Sequence, residues 1–98
     1  MGFTIRIEDE NGNAEKTMPK EFVSSDLGVF YKKPFRLLKY IDPYGNTTFN
    51  ALMYDDLIKD LIELKEYIPS DKEQIDEVIK YAQECSEQIH TYLKFYGD

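Results

Sequence analysis

His90 and Cys85 are the side chains best suited to catalysis, since they are the only histidine and the only cysteine of the chain. A histidine exchanges a proton near neutral pH, and a thiolate is a nucleophile. A five-residue offset on one helix turns two side chains about 140° apart, so these residues make an awkward pair. We expect Cys85 to pack in the core and His90 to lie half-buried near the C-terminal end of a helix.

Paired acidic residues are the next candidates for chemistry. Asp55 precedes Lys59 by four residues, and Asp76 precedes Lys80 by four, which is the spacing of ion pairs on a solvated helix face. The spacings of a calcium loop, a glycine-rich phosphate loop, a nucleophilic serine elbow and a zinc site do not occur in the sequence. We therefore predict no metal, no cofactor and no enzymatic activity.

Polar residues also concentrate in one turn and in the C-terminal tail. Residues 42–45, Asp-Pro-Tyr-Gly, have the residue types of a type I turn. If the tail folds beside this turn, the two segments form a ligand site in which His90 is the acid or base and Asp42 or Asp98 orients it. In the alternative interpretation the turn is structural, and its Asp and Asn side chains bond to their own backbone. The candidate ligand cluster is Asp42, Tyr44, Asn46, Asn50 and His90, with Asp98 from the tail.

The same two segments carry a family resemblance. Residues 42–50 and 90–98 resemble small bacterial proteins of uncharacterised function that contain an Asp-Pro-Tyr-Gly-Asp/Asn-Thr-x-Phe-Asn stretch and end in a His-x-Tyr-Leu-x-Phe-x-Gly-Asp tail. The similarity extends more loosely over the helical part between them. It implies no activity, so no residue role is transferred from that family.

Charge is divided unevenly along the 98 residues, whose net charge is -7 at pH 7. Residues 1–50 carry seven acidic and seven basic side chains, whereas residues 51–98 carry twelve acidic and five basic ones. An acidic surface repels phosphate groups, which disfavours nucleic acid and anionic membranes and allows a basic protein partner. The alternative is that the charge only keeps the protein in solution.

Two amphipathic helices are predicted to present this charge. Apolar residues recur at helical spacing from about Tyr54 until Pro69 ends the first helix. Ser70 and Glu73 have the spacing of a capping box for the second helix, whose apolar stripe reaches Ile89. The short linker predicts an antiparallel pair or an angled hairpin. The candidate partner-binding face consists of Asp76, Glu77, Glu84 and Glu87.

The N-terminal residues predict a β-hairpin. Residues 3–8 alternate apolar and polar side chains, and Asn11-Gly12 follows as a strong turn signal. Two registers are open, because a two-residue loop places Glu8 opposite Glu15, whereas a longer loop, which we favour, pairs Asp9 with Lys16.

A second hairpin is predicted around the 42–45 turn. Residues 35–41 are β-prone, and residues 46–49 can return as the partner strand. Residues 20–34 are interpreted as a loop with a short strand. Residues 91–96 are either a continued helix or a strand, and we favour the strand because most of these residues are strand-forming.

These elements predict one α+β domain spanning residues 1–98. A small antiparallel sheet of two hairpins, completed by the C-terminal strand in the interpretation that we favour, packs against two antiparallel amphipathic helices. Residues 1–10 lack the basic start and apolar block of a secretory signal, and no apolar run reaches the roughly 18 residues of a membrane span. With its single cysteine, the chain is expected to be cytoplasmic.

The predicted function is a small protein-interaction module, of the inhibitor or immunity type, that presents its acidic helical face to a basic protein. Tyr67 and Tyr81 are expected to be exposed, where they mark an interface or flank the core. The alternative function is a small-ligand module or enzyme built on the 42–46 turn, His90 and the tail. A nucleic-acid mimic is a third hypothesis, which the lysines interspersed among the acidic residues disfavour. The sequence makes no prediction of the oligomeric state.

Overall fold

The computed structural model describes residues 2–97, which form a four-stranded antiparallel sheet and three helices. The predicted α+β class is therefore confirmed. The strands are β1 (Thr4–Asp9), β2 (Ala14–Thr17), β3 (Asn46–Phe49) and β4 (Thr91–Tyr96), in the order β2-β1-β4-β3. The helices are α1 (Val29–Lys32), α2 (Tyr54–Tyr67) and α3 (Lys72–Ser86), and short 3-10 turns cover Leu38–Tyr40 and Pro69–Asp71.

The first hairpin forms as predicted, but the favoured longer loop is wrong. The Asp9 carboxylate accepts the backbone amides of Asn11 and Asn13, each at 2.9 Å, and the Asp9 amide donates to the Asn13 carbonyl at 2.9 Å. Asp9 therefore closes the turn and does not pair with Lys16. Gly12 supplies the left-handed residue, with φ 83°. The observed pairs are Arg6 with Thr17, Ile7 with Lys16 and, after an irregularity in the register, Glu8 with Ala14.

The second predicted hairpin is wrong, because β3 pairs with β4 and residues 35–41 form no strand. Phe35, Leu38 and Ile41 are all buried. Their spacing of three residues suits a 3-10 turn, whereas a half-buried strand would alternate. The β-prone composition of this segment reflects burial of these three anchors in the core.

The tail forms the strand that we favoured. β4 lies between β1 and β3, pairing Ile5 with Phe95 and both Ile7 and Phe49 with Leu93. These five side chains are buried and form the core face of the sheet.

Helix α3 is shorter than its predicted apolar stripe. It ends at Ser86, so Ile89 lies in the following turn and is 83% exposed. Tyr67 is exposed as predicted, but Tyr81 is buried, so the prediction that it is exposed is wrong. The core-facing side of α3 is therefore wider than expected, because it includes the aromatic ring of Tyr81.

The predicted capping box is also wrong. Among residues 2–97 no side chain caps the start of α3. The Ser70 hydroxyl lies 3.2 Å from that of Ser25, and the buried Asp71 carboxylate accepts the Ser25 amide at 2.8 Å. Both side chains therefore hold the segment before α1 against the α2–α3 connection.

Candidate functional site

The four carboxylates of the predicted partner-binding face differ in their surroundings. Asp76 accepts a hydrogen bond of 2.7 Å from Lys65 of α2, and Glu84 accepts one of 2.7 Å from Lys16 of β2. Glu77 is partly exposed, and Glu87 is exposed just beyond the end of α3. The helix therefore presents no uniform acidic face, since two of the four charges have partners within the molecule.

The two ion pairs shift the ionisation of their members. The hydrogen bond from Lys65 lowers the pKa of Asp76 below its usual range. The hydrogen bond to Glu84 raises the pKa of Lys16 above its usual value. Both pairs are accessible to water, and they connect β2 and α2 to α3.

A groove lies between α3 and the segment that follows β2. The Val23 amide donates to the Gln74 side-chain oxygen at 2.8 Å, and the Gln74 side-chain nitrogen donates to the Val23 carbonyl at 3.0 Å. These two bonds hold the segment alongside α3. The groove has a volume of about 510 Å³, and we call it the acidic groove. It is lined by Met18, Pro19, Lys20, Glu21, Glu73, Gln74 and Glu77.

The lining of the acidic groove combines three carboxylates with one cation, Lys20, and with apolar surface. Glu73 and Glu77 have no ion-pair partner within 4.0 Å among residues 2–97, although they lie on the same side of α3 as Glu84. Met18 is buried and supplies apolar surface, as does the ring of Pro19. A cationic side chain with an aliphatic stem matches this combination, because its stem packs on apolar atoms while its head meets the carboxylates.

The candidate ligand cluster is not assembled as a whole. Asp42, Tyr44 and Asn46 lie near the C-terminal end of β4, where Asn46 pairs with Tyr96. His90 precedes the other end of β4, a separation of about 20 Å at about 3.4 Å per residue. Asp98 lies outside the described residues.

The 42–45 turn makes the bonds of a structural turn. The Asp42 side chain accepts the Tyr44 amide at 2.9 Å, and the Asp42 amide donates to the Thr47 hydroxyl at 3.0 Å. The Gly97 amide donates to the Gly45 carbonyl at 2.7 Å. A Cβ atom at Gly97 would lie 2.5 Å from the Pro43 carbonyl oxygen, so the close approach of turn and tail requires glycine.

Asn50 and His90 complete the candidate cluster in the prediction, and each has a local role in the structure. The Asn50 side chain accepts the Leu52 amide at 3.0 Å in the turn before α2. His90 is neither half-buried nor in a helix: it has φ 59°, its side chain is 66% exposed, and its Nδ1 atom lies 3.4 Å from the Glu10 carboxylate. His90 lies outside α3, in the left-handed region of backbone conformation, and it is far from the Asp42 carboxylate.

Cys85 packs in the core, as expected. Burial raises the pKa of its thiol above the usual value, which disfavours the nucleophilic thiolate. Burial likewise raises the pKa of the neighbouring Tyr54 hydroxyl. Both groups are therefore protonated near neutral pH.

The sequence prediction missed a charged cluster on the face of the sheet opposite the core. Glu8 is only 3% exposed and accepts a hydrogen bond from the Tyr96 hydroxyl. Arg6 Nε and Lys94 Nζ lie 3.5 Å and 3.7 Å from the Glu8 carboxylate. Both cations also lie over the Tyr96 ring, at 5.3 Å and 5.2 Å from its centre. The two cations share the single Glu8 carboxylate, and these contacts tie β1 to β4 across the sheet.

The sequence prediction also missed two lining residues of the acidic groove. Glu73 was interpreted as part of a capping box, and Glu21 lies in a segment interpreted only as a loop with a short strand. The groove brings these residues together across about 50 positions of sequence, and no local pattern marks that contact.

Three further findings bear on function. Within residues 2–97 no group of three or more His, Cys, Asp or Glu side chains is arranged to hold a metal ion. No helix in the same range has the length and apolar character needed to cross a membrane. No protein-family model, curated protein or solved structure matches this chain.

Proposed function

We propose that the chain is a protein-interaction module whose acidic groove receives a basic segment of a partner protein. The observation that carries this proposal is the placement of Glu73 and Glu77, free of ion-pair partners within residues 2–97, beside the apolar surface of Met18 and Pro19. A lysine or arginine of the partner would lay its stem on that surface and bring its charge to the carboxylates.

The net charge of -7 supports the same proposal through association kinetics. An acidic protein attracts a basic partner over several ångströms before contact, which raises the association rate at low salt. The acidic groove then fixes where the partner docks. Of the four carboxylates predicted as the partner-binding face, only Glu77 lines this groove. Asp76 and Glu84 are engaged by lysines, and Glu87 lies beyond the end of α3.

The proposal extends to the class of protein. A module of the inhibitor or immunity type, acting in the cytoplasm without catalysis, needs a docking surface and no reactive group. Burial of Cys85 and the separation of His90 from Asp42 support the non-catalytic part. A partner of this type would be a basic protein whose activity depends on an exposed lysine or arginine.

The direct test is titration of the protein with a fluorescent oligolysine peptide at low and moderate salt. A groove variant, Glu21→Gln/Glu73→Gln/Glu77→Gln, is expected to bind the peptide about tenfold more weakly, since two or three exposed charge pairs contribute on the order of 1.4 kcal/mol together. Binding by the wild type is expected to weaken as salt rises.

The matched control removes the same number of charges elsewhere. Glu15→Gln/Asp55→Asn/Glu66→Gln changes three exposed acidic residues outside the groove and leaves the net charge equal to that of the groove variant. It is expected to bind within about twofold of the wild type. Equal weakening by the two triple variants would show that overall charge, and not the groove, attracts the peptide, and the proposal would then be wrong.

A further inference from the structure

A strongly basic stretch interrupts this acidic protein. Residues 27–41 contain Lys32, Lys33, Arg36 and Lys39 and no acidic residue, although the chain as a whole has a net charge of -7. We call residues 31–40 the basic segment. All four of its cationic residues are exposed.

The basic segment is held in one conformation by buried anchors. The buried Asp60 carboxylate of α2 accepts the amides of Arg36, Leu37 and Leu38 at 3.2, 2.7 and 3.2 Å. The Tyr31 hydroxyl donates to the Ile41 carbonyl at 2.7 Å. A partner that binds this segment therefore does not have to order it first, which lowers the entropic cost of association.

Three of the four cations have no carboxylate partner among the described residues. Arg36 lies 3.5 Å from Asp56, whereas Lys32, Lys33 and Lys39 have no carboxylate within 4.0 Å in the part of the chain that the structure describes. The amino groups of Lys33 and Lys39 lie over tyrosine rings, at 4.8 Å and 5.3 Å from the ring centres. Free cations beside exposed tyrosines combine charge with the aromatic surface that is enriched in protein interfaces.

We propose that the basic segment of one copy docks in the acidic groove of a second copy. The chain carries both halves of a complementary pair: unpaired lysines in the basic segment, and unpaired glutamates with apolar surface in the groove. No residue of the basic segment lines the acidic groove, and the segment is bonded to α2 through Asp60, so the proposed contact is between molecules. This inference rests on the proposed function of the groove.

The two surfaces differ, so the contact is heterologous. A heterologous contact leaves one free groove and one free basic segment after each addition, and it builds rings or open chains. Both copies have a net charge of -7, so long-range repulsion opposes association at very low salt. At about 0.1 M salt the Debye length is about 10 Å, which screens that repulsion and preserves much of the attraction at contact.

The test measures mass by sedimentation velocity from 10 to 500 µM protein in about 0.1 M salt. The wild type is expected to increase in weight-average mass with concentration, above its monomer mass of 11.6 kDa. A segment variant, Lys32→Gln/Lys33→Gln/Lys39→Gln, and the groove variant are each expected to remain monomeric. All six positions are on the surface, and equal far-UV circular dichroism and melting temperature would show that both variants fold.

Mixing the two variants gives the decisive result. The groove variant retains its basic segment and the segment variant retains its acidic groove, so the mixture is expected to form a one-to-one complex that grows no further. A wild type that stays monomeric at 500 µM, or variants that associate as well as the wild type does, would overturn the proposal.

An experiment without mutations separates this proposal from the proposed function. Added oligolysine is expected to occupy the groove and return associated wild-type protein to monomers. If oligolysine binds the groove but the wild type never associates, docking between copies is wrong and the proposed function of the groove stands. If oligolysine binds nowhere on the wild type, both proposals fail.

Discussion

At the scale of single residues, the buried Tyr54 hydroxyl joins three elements of the fold. It lies 2.9 Å from the carbonyl oxygens of Phe49 and Thr91, which share its single donor hydrogen, and it accepts the Leu93 amide at 3.2 Å. One hydroxyl thereby joins the start of α2 to β3 and β4. Its burial raises its pKa, so it remains a neutral donor throughout the physiological range.

Replacing Tyr54 with phenylalanine should therefore destabilise the fold out of proportion to the loss of one oxygen atom. The change removes the acceptor of the buried Leu93 amide and the one donor that the two carbonyl oxygens share, at a cost of about 1–3 kcal/mol. Urea denaturation of Tyr54→Phe is the measurement, and Tyr44→Phe is the control, since Tyr44 is 73% exposed. A loss below about 0.5 kcal/mol, as for an ordinary surface substitution, would contradict this role.

The Lys65–Asp76 pair is expected to make the stability of the fold depend on pH. The folded state lowers the pKa of Asp76, so near pH 4 the unfolded chain binds more protons at this carboxyl group than the folded chain does. The stability that the pair contributes is thus present at neutral pH and is lost as the pH falls below about 4.

Thermal melts of the wild type and Asp76→Asn from pH 7 to pH 2.5 test this sign. The melting temperature of the variant is expected to lie below that of the wild type at pH 7, and the two should converge at the acidic end. Glu15→Gln, at an exposed position of β2, is the control. A difference for Asp76→Asn that does not change across the pH range would show that the side chain, and not its charge, matters.

At the scale of elements, the sequence predicts those whose pattern is local. Alternation identifies β1, helical spacing identifies α2, and β-forming residues identify β4. Residues 35–41 fail because composition alone suggested a strand, although their buried residues recur every third position. The bonds between Gln74 and Val23 and between Asp60 and Leu37 join residues 51 and 23 positions apart, and no local pattern indicates them.

The turn between α3 and β4 contains a residue in a strained backbone conformation. His90 is the only residue other than glycine with positive φ among residues 2–97. A side chain in the left-handed region costs about 1 kcal/mol or more, whereas glycine adopts it freely. His90→Gly is therefore expected to stabilise the fold by about 0.5–1 kcal/mol, after allowance for the greater entropy of glycine in the unfolded chain.

Chemical denaturation of His90→Gly measures this gain, and Gln88→Gly in the same turn is its control, since Gln88 lacks positive φ and should lose stability. Destabilisation by His90→Gly would show that the His90–Glu10 contact outweighs the backbone strain. Equal effects of the two glycines would exclude an effect specific to the left-handed residue.

At the scale of the whole molecule, the fold rearranges the charge that the sequence divides into halves. The acidic excess of residues 51–98 is predictable from counting, but the groove adds Glu21 from the neutral half. The sequence therefore predicted only the negative charge of the candidate site and one of its residues, Glu77. The other residues were not predictable, because the groove exists only once the segment after β2 packs on α3. The basic segment was not predicted, because it lies in the N-terminal half of the chain, whose charges sum to zero.

Salt should stabilise this protein, because net repulsion extends across it. The molecule measures 33 × 25 × 22 Å, so at about 0.01 M salt the Debye length of about 30 Å lets every charge act on every other. At about 0.1 M the Debye length of about 10 Å confines these interactions to neighbours. Salt also weakens the exposed Lys16–Glu84 and Lys65–Asp76 pairs, but isolated ion pairs at a protein surface contribute little to stability.

The melting temperature at pH 7 is therefore expected to rise between these two salt concentrations, by about 4–8 °C for each kcal/mol of repulsion removed. The melts are carried out at protein concentrations too low for association, so that docking between copies does not affect the melting temperature. Repetition near the sequence isoelectric point of about 4.7 is the control, because repulsion is smallest there and the rise should shrink. A melting temperature that falls with salt at pH 7 would mean that the local ion pairs, and not the net charge, dominate the electrostatic free energy of the fold.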